Sequence, residues 1–510
     1  MYKNLLSVGG LTLLSRGTGF LRDVLFAAAF GSGLVAEAFL VAFRLPNHFR
    51  TIFGEGAFSA AYVPCYSQVL ENQGPEEAGR FCSQVAALLL ISQIILLAVA
   101  WLFMPTFVDL LAPGFRDDPE KFSLTITLTR ITFPYLLFIT LVTLQSGTLN
   151  ARGRFVAAAT APIVMNVTLI VTYLIAPHFG NPGVVAAFGV IVSGLLQYLM
   201  TAGAAWRSGI LEHPAWPELT INVRRFLRRL GPAVIGSAGV QIAIFADTII
   251  ASLLPGGIAA ITYADRLYQL PLGIIGVAAG TVLLPEMSRL LASGKPEAAL
   301  HAQNRAMAIS LSLAAPFCIA FLTIPDLIMR GVYLRGAFTA ADGEASARVL
   351  AAYGFGLLAV ILIRSALASF QAAGDTRTPM MISLTAVALN VCLKIILFHP
   401  MGAAGLAAAT AAGAWINLSL LIILAMRRGT MQPDRLLWKT IACVFIASIA
   451  LTLFAIFFQD YARELGSRLP FLRNEITLIG LGLAGACLYG LVFITSLRVA
   501  GVSLRRRARA

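Results

Sequence analysis

The feature that most constrains this chain is a recurrence of uninterrupted apolar runs, each about long enough to cross a bilayer. A helix needs about 20 apolar residues to traverse about 30 Å of hydrocarbon. Such runs fall near 4–30, 34–53, 81–104, 124–148, 156–177, 183–206, 231–253, 258–287, 306–329, 349–372, 379–398, 402–426, 436–457 and 476–497. Continuous runs argue for helices, because a membrane-spanning strand reads as an alternating stretch of about ten residues. Of 510 residues only 12% are charged, about half the share in a soluble domain, which excludes that class. The expectation is an all-α integral membrane protein with fourteen transmembrane helices. A further apolar stretch at 57–70 (AFSAAYVPCYSQVL) is expected to prolong the second helix or to lie at the interface. The first run reads as retained rather than as a signal peptide, since Arg16 interrupts its apolar core and no small-residue cleavage site follows.

Basic residues orient the chain. With the N-terminus in the cytoplasm, an even number of spans returns the C-terminus to the same side. The segments on that side then hold most of the 38 Lys and Arg, including Arg80, Arg152, Arg154, the NVRRFLRR segment at 222–229 and the RRRAR tail, as the positive-inside rule requires. Next to membrane spans such runs meet anionic membrane lipids, and no nucleic-acid partner is expected.

The chain also repeats itself. Arg44 followed by Pro64 has a counterpart in Arg266 followed by Pro285, and NARGRF (150–155) before Asn166 has one in QAAGDTRTP (371–379) before Asn390. A six-span unit repeated in parallel predicts two six-helix lobes related by a pseudo-two-fold axis along the membrane normal, with the substrate site between them. The expected organisation is an N-lobe over 1–206 (spans 1–6), a basic and partly amphipathic cytoplasmic linker over 207–230, a C-lobe over 231–428 (spans 7–12), two extra C-terminal helices in 429–500 and a basic cytoplasmic tail over 501–510.

Charged residues inside the spans carry the functional information, because ionisable groups at membrane depth cost several kcal/mol or more and face a cavity or a partner. The basic ones are Arg16, Arg22, Arg44, Arg50, Arg130, Arg266, Arg364 and Lys394; the acids are Asp23, Glu37, Glu55, Asp247, Asp265 and Glu286. Arg16, Arg22, Arg44 and Arg50 crowd onto the first two helices, where the acids are fewer. Guanidinium groups bind phosphate bidentately and stay charged when partly desolvated, so a cavity rich in them suits a phosphate or diphosphate. Gly17, Gly19 and Pro46 point to irregular helices beside it, since proline frees a carbonyl and bends a helix. The competing reading makes each arginine structural, neutralised by an acid such as Asp23 or Asp265. His48, His178, His213, His301 and His399 are scattered and show no metal-ligand or nucleophile–base spacing. Neither catalysis, a metal nor a cofactor is expected. The cysteines form no CxxC pair and read as small packing residues.

The run SRGTGFLRDVLFAAAFG (15–31), the block VAEAFLVAFRLPNHFRTIFGEGAFSAAYVP (35–64), APGF (112–115), YADRL (263–267) and GVAAGTVLLPEMS (276–288) together resemble the lipid II flippase family called MurJ or MviN. That family sits in the superfamily of multidrug and toxic-compound exporters and oligosaccharide-lipid flippases. The resemblance covers essentially the whole chain. It implies a monomeric transporter of the bacterial inner membrane that moves lipid II, an undecaprenyl-diphosphate-linked peptidoglycan precursor, to the periplasmic leaflet by alternating access for cell-wall synthesis. It further implies that spans thirteen and fourteen form a groove for the lipid tail. Two alternatives share the fold: a multidrug-type exporter, which would need an acidic or aromatic cavity, and a flippase for another polyprenyl-diphosphate oligosaccharide.

Carried over by position, the resemblance assigns substrate contacts to Arg16, Arg22, Arg50 and Arg266 with Ser15 and Asn47; Arg44, equally deep, joins them as a fifth. Asp23, Glu37 and Glu55 are candidates for coupling or gating, Glu37 standing where many members have Asp. Some members hold sodium through an Asp on span seven and an Asn and Asp on span eleven. Asp247 and Asn390 match, but Lys394 occupies the last position. An ammonium competes with sodium, so a structural Asp247–Lys394 ion pair replaces the metal. Export of an anionic headgroup runs downhill under an inside-negative potential, by about 2.3 kcal/mol per charge per 100 mV; proton coupling through Glu55 or Glu37 is the alternative.

Overall fold

The computed structural model describes residues 2–50, 57–210, 216–468 and 472–502, and no strand occurs among them. The chain forms two compact units, Met1–Ile258 and Ala259–Ala510. The first contains α1 (Tyr2–Phe30), α2 (Leu34–Arg50), α3 (Ala57–Leu102), α4 (Met104–Leu111), α5 (Pro119–Thr132), α6 (Tyr135–Ala151), α7 (Val156–Ile175), α8 (Pro182–Trp206) and α9 (Ile221–Ala251). From α10 (Gly257–Pro271) onward, the second contains α11 (Val277–Ala292), α12 (Pro296–Thr323), α13 (Pro325–Tyr333), α14 (Ala340–Ala372), α15 (Arg377–Met401), α16 (Ala403–Arg427), α17 (Arg435–Ser467) and α18 (Arg473–Val499).

Among the described residues, ten segments are long and apolar enough to cross a membrane. The expected spans outside that set are α1, α2, α9 and α10–α11. These are the helices that carry Arg16, Arg22, Glu37, Arg44, Asp247 and Arg266. Of these, α2, α10 and α11 are also the shorter helices, at 17, 15 and 16 residues.

Local chemistry departs from the expected pattern in four places. The 57–70 stretch opens α3, which is helical on either side of Gly74; the residues between it and α2 lie outside the described residues. At φ 87 and ψ 176, Gly74 holds a backbone conformation that a side chain would strain, and Pro75 then starts the next helix without needing a hydrogen-bonded N–H. The span expected at 124–148 is two helices, α5 and α6, broken at Phe133–Pro134 because proline cannot donate to the preceding turn. Gly17 and Gly19 do not interrupt α1, which is helical through both; Gly19 instead admits a neighbour, as described below. The irregular backbone lies on the second unit's first span, where a π-helical turn, Leu272–Gly276, joins α10 to α11.

In the first unit, α3 packs against α6 and α9 around Phe58, Tyr62, Tyr66, Phe81 and Val85. Val223 and Phe226 complete this core while Arg224, Arg225, Arg228 and Arg229 stay exposed, so the basic segment at 221–230 is amphipathic and continuous with α9. Within the core Tyr62 Oη lies 2.8 Å from Thr148 Oγ1 and 3.0 Å from Cys82 Sγ, which satisfies a buried hydroxyl. The APGF motif is explained by contact: a Cβ on Gly114 would lie 2.3 Å from the backbone oxygen of Ser252, whose hydroxyl accepts from the Gly114 amide at 3.2 Å.

In the second unit, α14 packs closely on α16, Gly356 meeting the backbone of Ala411. The α17–α18 pair lies against α12 and α13, with Tyr489 Oη donating to the Ser312 carbonyl at 2.9 Å. A short helix follows the third long helix in each unit, α4 and α13, and a buried phenylalanine closes each connection, Phe115 and Phe338.

The α14–α15 turn is pinned by Asp375, which accepts from the Thr378 amide at 3.0 Å and pairs with Arg428 at 2.6 Å. Hydrogen bonds from Thr378, with Arg428 adding to them, lower its carboxyl from 3.8 to about 2. Its contribution to stability is therefore complete above the ordinary carboxylate value and is lost as pH falls through about 2. Thermal unfolding in detergent between pH 4 and 2 should show Asp375→Asn losing less stability than the wild type as the pH drops; equal losses would contradict the assignment.

Candidate functional site

On α1, Ser15, Thr18, Arg22 and Asp23 lie three to four residues apart or adjacent, so one face of the helix gathers them. Asn166 of α7 reads that face. Its Nδ2 donates to the Ser15 carbonyl at 3.0 Å and to Thr18 Oγ1 at 3.3 Å, while its Oδ1 accepts from Arg22 Nη1 at 3.1 Å. Gly19 eases this approach, since a Cβ there would lie 3.3 Å from Asn166 Nδ2 and the amide would have to give way slightly. The Arg22 fork also grips Asp23 Oδ1, at 3.0 Å from Nε and 2.6 Å from Nη2. With side chains only 11% and 17% exposed, this pair is desolvated, and its extra hydrogen bond to Asn166 is what such a pair requires.

Arg16 differs. It lies midway along α1, is exposed, and makes no ion pair or hydrogen bond among the described residues. Six residues separate it from Arg22, about 9 Å along the helix. The first unit thus holds one anchored guanidinium and one open one on the same span. Arg44 and Asn47 are half-buried on α2. The Arg50 side chain and Glu55 lie outside the described residues.

Glu37, in the first turn of α2, is 1% exposed and pairs with Lys121 of α5. Its other oxygen accepts from the Ile258 amide at 3.0 Å, one of the donors that every helix start leaves without an intrahelical partner. The Lys121 ammonium also lies 4.1 Å over the Phe115 ring, a cation–π contact strengthened by desolvation. Lys121 is buried and begins a helix, Asp118 capping α5 by accepting from the Lys121 amide at 3.1 Å.

In the second unit Arg266 is half-buried on α10, beside Asp265, which accepts from Gln269. Tyr268 stacks on Tyr353 of α14 at 4.9 Å, and Tyr263 meets Tyr333 and Phe338 at 5.2 Å, holding α10 against the unit's core. Arg364 of α14 escaped the sequence-based site. It is exposed, and it passes so close to the π turn that a Cβ on Gly276 would lie 3.2 Å from its Nε. Asn390 of α15 donates to the Ala409 carbonyl at 3.0 Å over Gly413, a clamp of the kind Asn166 makes in the first unit. Asp247 lies on α9 of the first unit, and Lys394, 1% exposed, on α15 of the second.

A multi-pass helical fold with anchored and open guanidinium groups at membrane depth defines a membrane transporter. The profile described as "Lipid II flippase MurJ" matches residues 26–467. The chain is 38% identical to the "Probable lipid II flippase MurJ" of Rhizobium meliloti over 99% of this chain and 95% of that one. It is 34% identical to the "Lipid II flippase MurJ" of Burkholderia cenocepacia over 85% of each. A solved "Lipid II flippase MurJ, inward closed conformation" aligns at TM-score 0.79 and 25% identity, over 96% of this chain and 99% of that one. An inward-facing multidrug resistance MATE family transporter aligns at TM-score 0.61 and 18% identity, over 81% and 94%, a likeness of fold. This chain belongs to the MurJ lipid II flippase family.

The buried pair gives a test. Glu37→Gln leaves the Lys121 ammonium without its counter-ion, which should cost about 3–5 kcal/mol. Adding Lys121→Met removes the stranded charge and should recover much of that loss in detergent unfolding midpoints. A double variant no more stable than Glu37→Gln alone would show that the pair does not act as a unit.

Proposed function

We propose that this chain translocates lipid II from the cytoplasmic to the periplasmic leaflet by alternating access, for cell-wall synthesis. The observation that carries the reading is a family match over nearly the whole chain to proteins named as lipid II flippases. The site chemistry agrees with it. Arg16 is open at mid-helix with no acid of its own, and an open guanidinium presents paired donors to a diphosphate. Arg22, held by Asp23 and Asn166, adds a second guanidinium to the same helix. Arg266 is assigned the matching role in the second unit, with Ser15, Arg44, Asn47 and Arg50 as further contacts. A cationic drug would find this charge repulsive, which weighs against the multidrug reading.

The proposal includes fourteen spans, with α5–α6 and α10–α11 each counted as one, arranged as two six-span lobes and two added helices. Both termini are placed in the cytoplasm, on the side of the exposed arginines that flank α9. Glu37 is assigned to gating, because its carboxylate is already committed to Lys121 and the Ile258 amide; Asp23 holds Arg22, and Glu55 is left as the candidate for proton coupling. Lys394 puts an ammonium where the family resemblance places a sodium-binding carboxylate, so transport is assigned no sodium ion there.

The test is purified protein in liposomes carrying labelled lipid II. Arg16→Ala, Arg22→Ala and Arg266→Ala should each slow translocation about tenfold or more, the loss of one charge-assisted contact. Arg80→Ala, at an exposed pair with Glu76 and Glu77, should leave the rate unchanged. Wild-type rates in all three cavity variants would remove the arginines from the mechanism. Replacing sodium with potassium should not change the wild-type rate; a sodium requirement would overturn the reading of Lys394.

A further inference from the structure

A groove of about 470 Å³ runs between α11, with its preceding π turn, and α12. Its walls are Ile274, Ile275, Val282, Leu283, Ile309 and Leu313, and its polar lining includes Glu286 and Arg305 at the end nearer the α11–α12 turn. Ile274, Val282 and Leu313 are more than half exposed, so the trough opens sideways along the helices.

Arg305 is the anomaly. A half-buried guanidinium in an apolar groove calls for a counter-charge, yet it makes no ion pair or hydrogen bond among the described residues. Asp434, the acid bonded one turn away on α12, is already consumed: it pairs with His301 at 2.9 Å and caps α17 through the Leu437 amide at 2.9 Å. Glu286 lines the same groove without ion-pairing to Arg305. An anion from outside the chain would supply that counter-charge.

Length selects its source. From Arg305 to Leu313 the groove wall runs about 12 Å, and from Glu286 to Ile274 about 18 Å. One leaflet's share of the hydrocarbon is about 15 Å. The trough therefore takes a chain that starts at a headgroup and stops near the bilayer midplane. A two-chain glycerophospholipid has that shape, whereas an undecaprenyl chain is several times too long for it. We propose that the α11–α12 groove is a binding site for a bilayer glycerophospholipid, with one acyl chain along Ile274, Val282, Ile309 and Leu313 and the phosphodiester on Arg305. The site is separate from the lipid II contacts and does not depend on that assignment. It requires only that α11 and α12 lie in the bilayer.

The experiment is native mass spectrometry of the full-length protein, titrated in detergent with dioleoyl phosphatidylglycerol. One phospholipid should remain bound to the wild type. Arg305→Gln, which removes the charge, and Ile309→Trp, which fills the trough, should each weaken that binding about tenfold. Their unfolding midpoints should match the wild type, since neither residue carries a bond within the chain. Undecaprenyl phosphate at equal concentration should not displace the phospholipid. Retention by both variants would show that lipid binds elsewhere and overturn the site. Displacement by undecaprenyl phosphate would give the groove to a polyprenyl tail and overturn the choice of occupant.

Discussion

The organising constraint is the cost of holding an ionised side chain away from water. At membrane depth that cost is several kcal/mol or more per group, and every charge buried there has to be answered by another group. The first unit answers it by pairing: Arg22 with Asp23 and Asn166, Glu37 with Lys121 and the Ile258 amide. The Arg22–Asn166 hydrogen bond and the Glu37–Lys121 ion pair each join helices remote in sequence, α1 with α7 and α2 with α5. Charge neutralisation and helix assembly are one problem here.

Two other arginines make the contrast. Arg16 and Arg305 make no bond among the described residues, and they differ in what surrounds them. Arg16 shares its helix with a second, anchored guanidinium, a setting that fits a doubly charged diphosphate. Arg305 sits at the end of an aliphatic trough about one leaflet deep, a setting for a single phosphodiester with a chain attached.

Much of this was legible in the sequence. Apolar runs gave the helices, and the in-span arginines and the LPN and APGF blocks pointed to the family. What escaped was the partner of each charge. Nothing in the spacing of Glu37 and Lys121 marks them as neighbours, because 84 residues separate them and pairing is a property of packing. Asn166 was visible only as a repeat marker, since an amide in an apolar helix does not announce the carbonyl it will reach. Gly17 and Gly19 were read as marks of an irregular helix, but a glycine inside a long helix costs only about 1 kcal/mol, which packing offsets. The real irregularities, at Gly74 and Leu272–Gly276, depend on φ values and on crowding from α14, neither of which a hydropathy pattern records.

Glu37 has a consequence for how the chain is made. Its two donors arrive 84 and 221 residues later. During synthesis α2 therefore enters the membrane region carrying an acid whose counter-charge has not yet been translated, and whose backbone donor belongs to a helix further off still. Until Lys121 emerges, that carboxylate lacks the counter-charge it is buried against, and the first two helices have no settled depth. Their final seating waits on α5, and the last bond closes only when the turn before α10 has been made. Biogenesis of the first unit is in this sense retroactive: its earliest helices are locked by its latest residues.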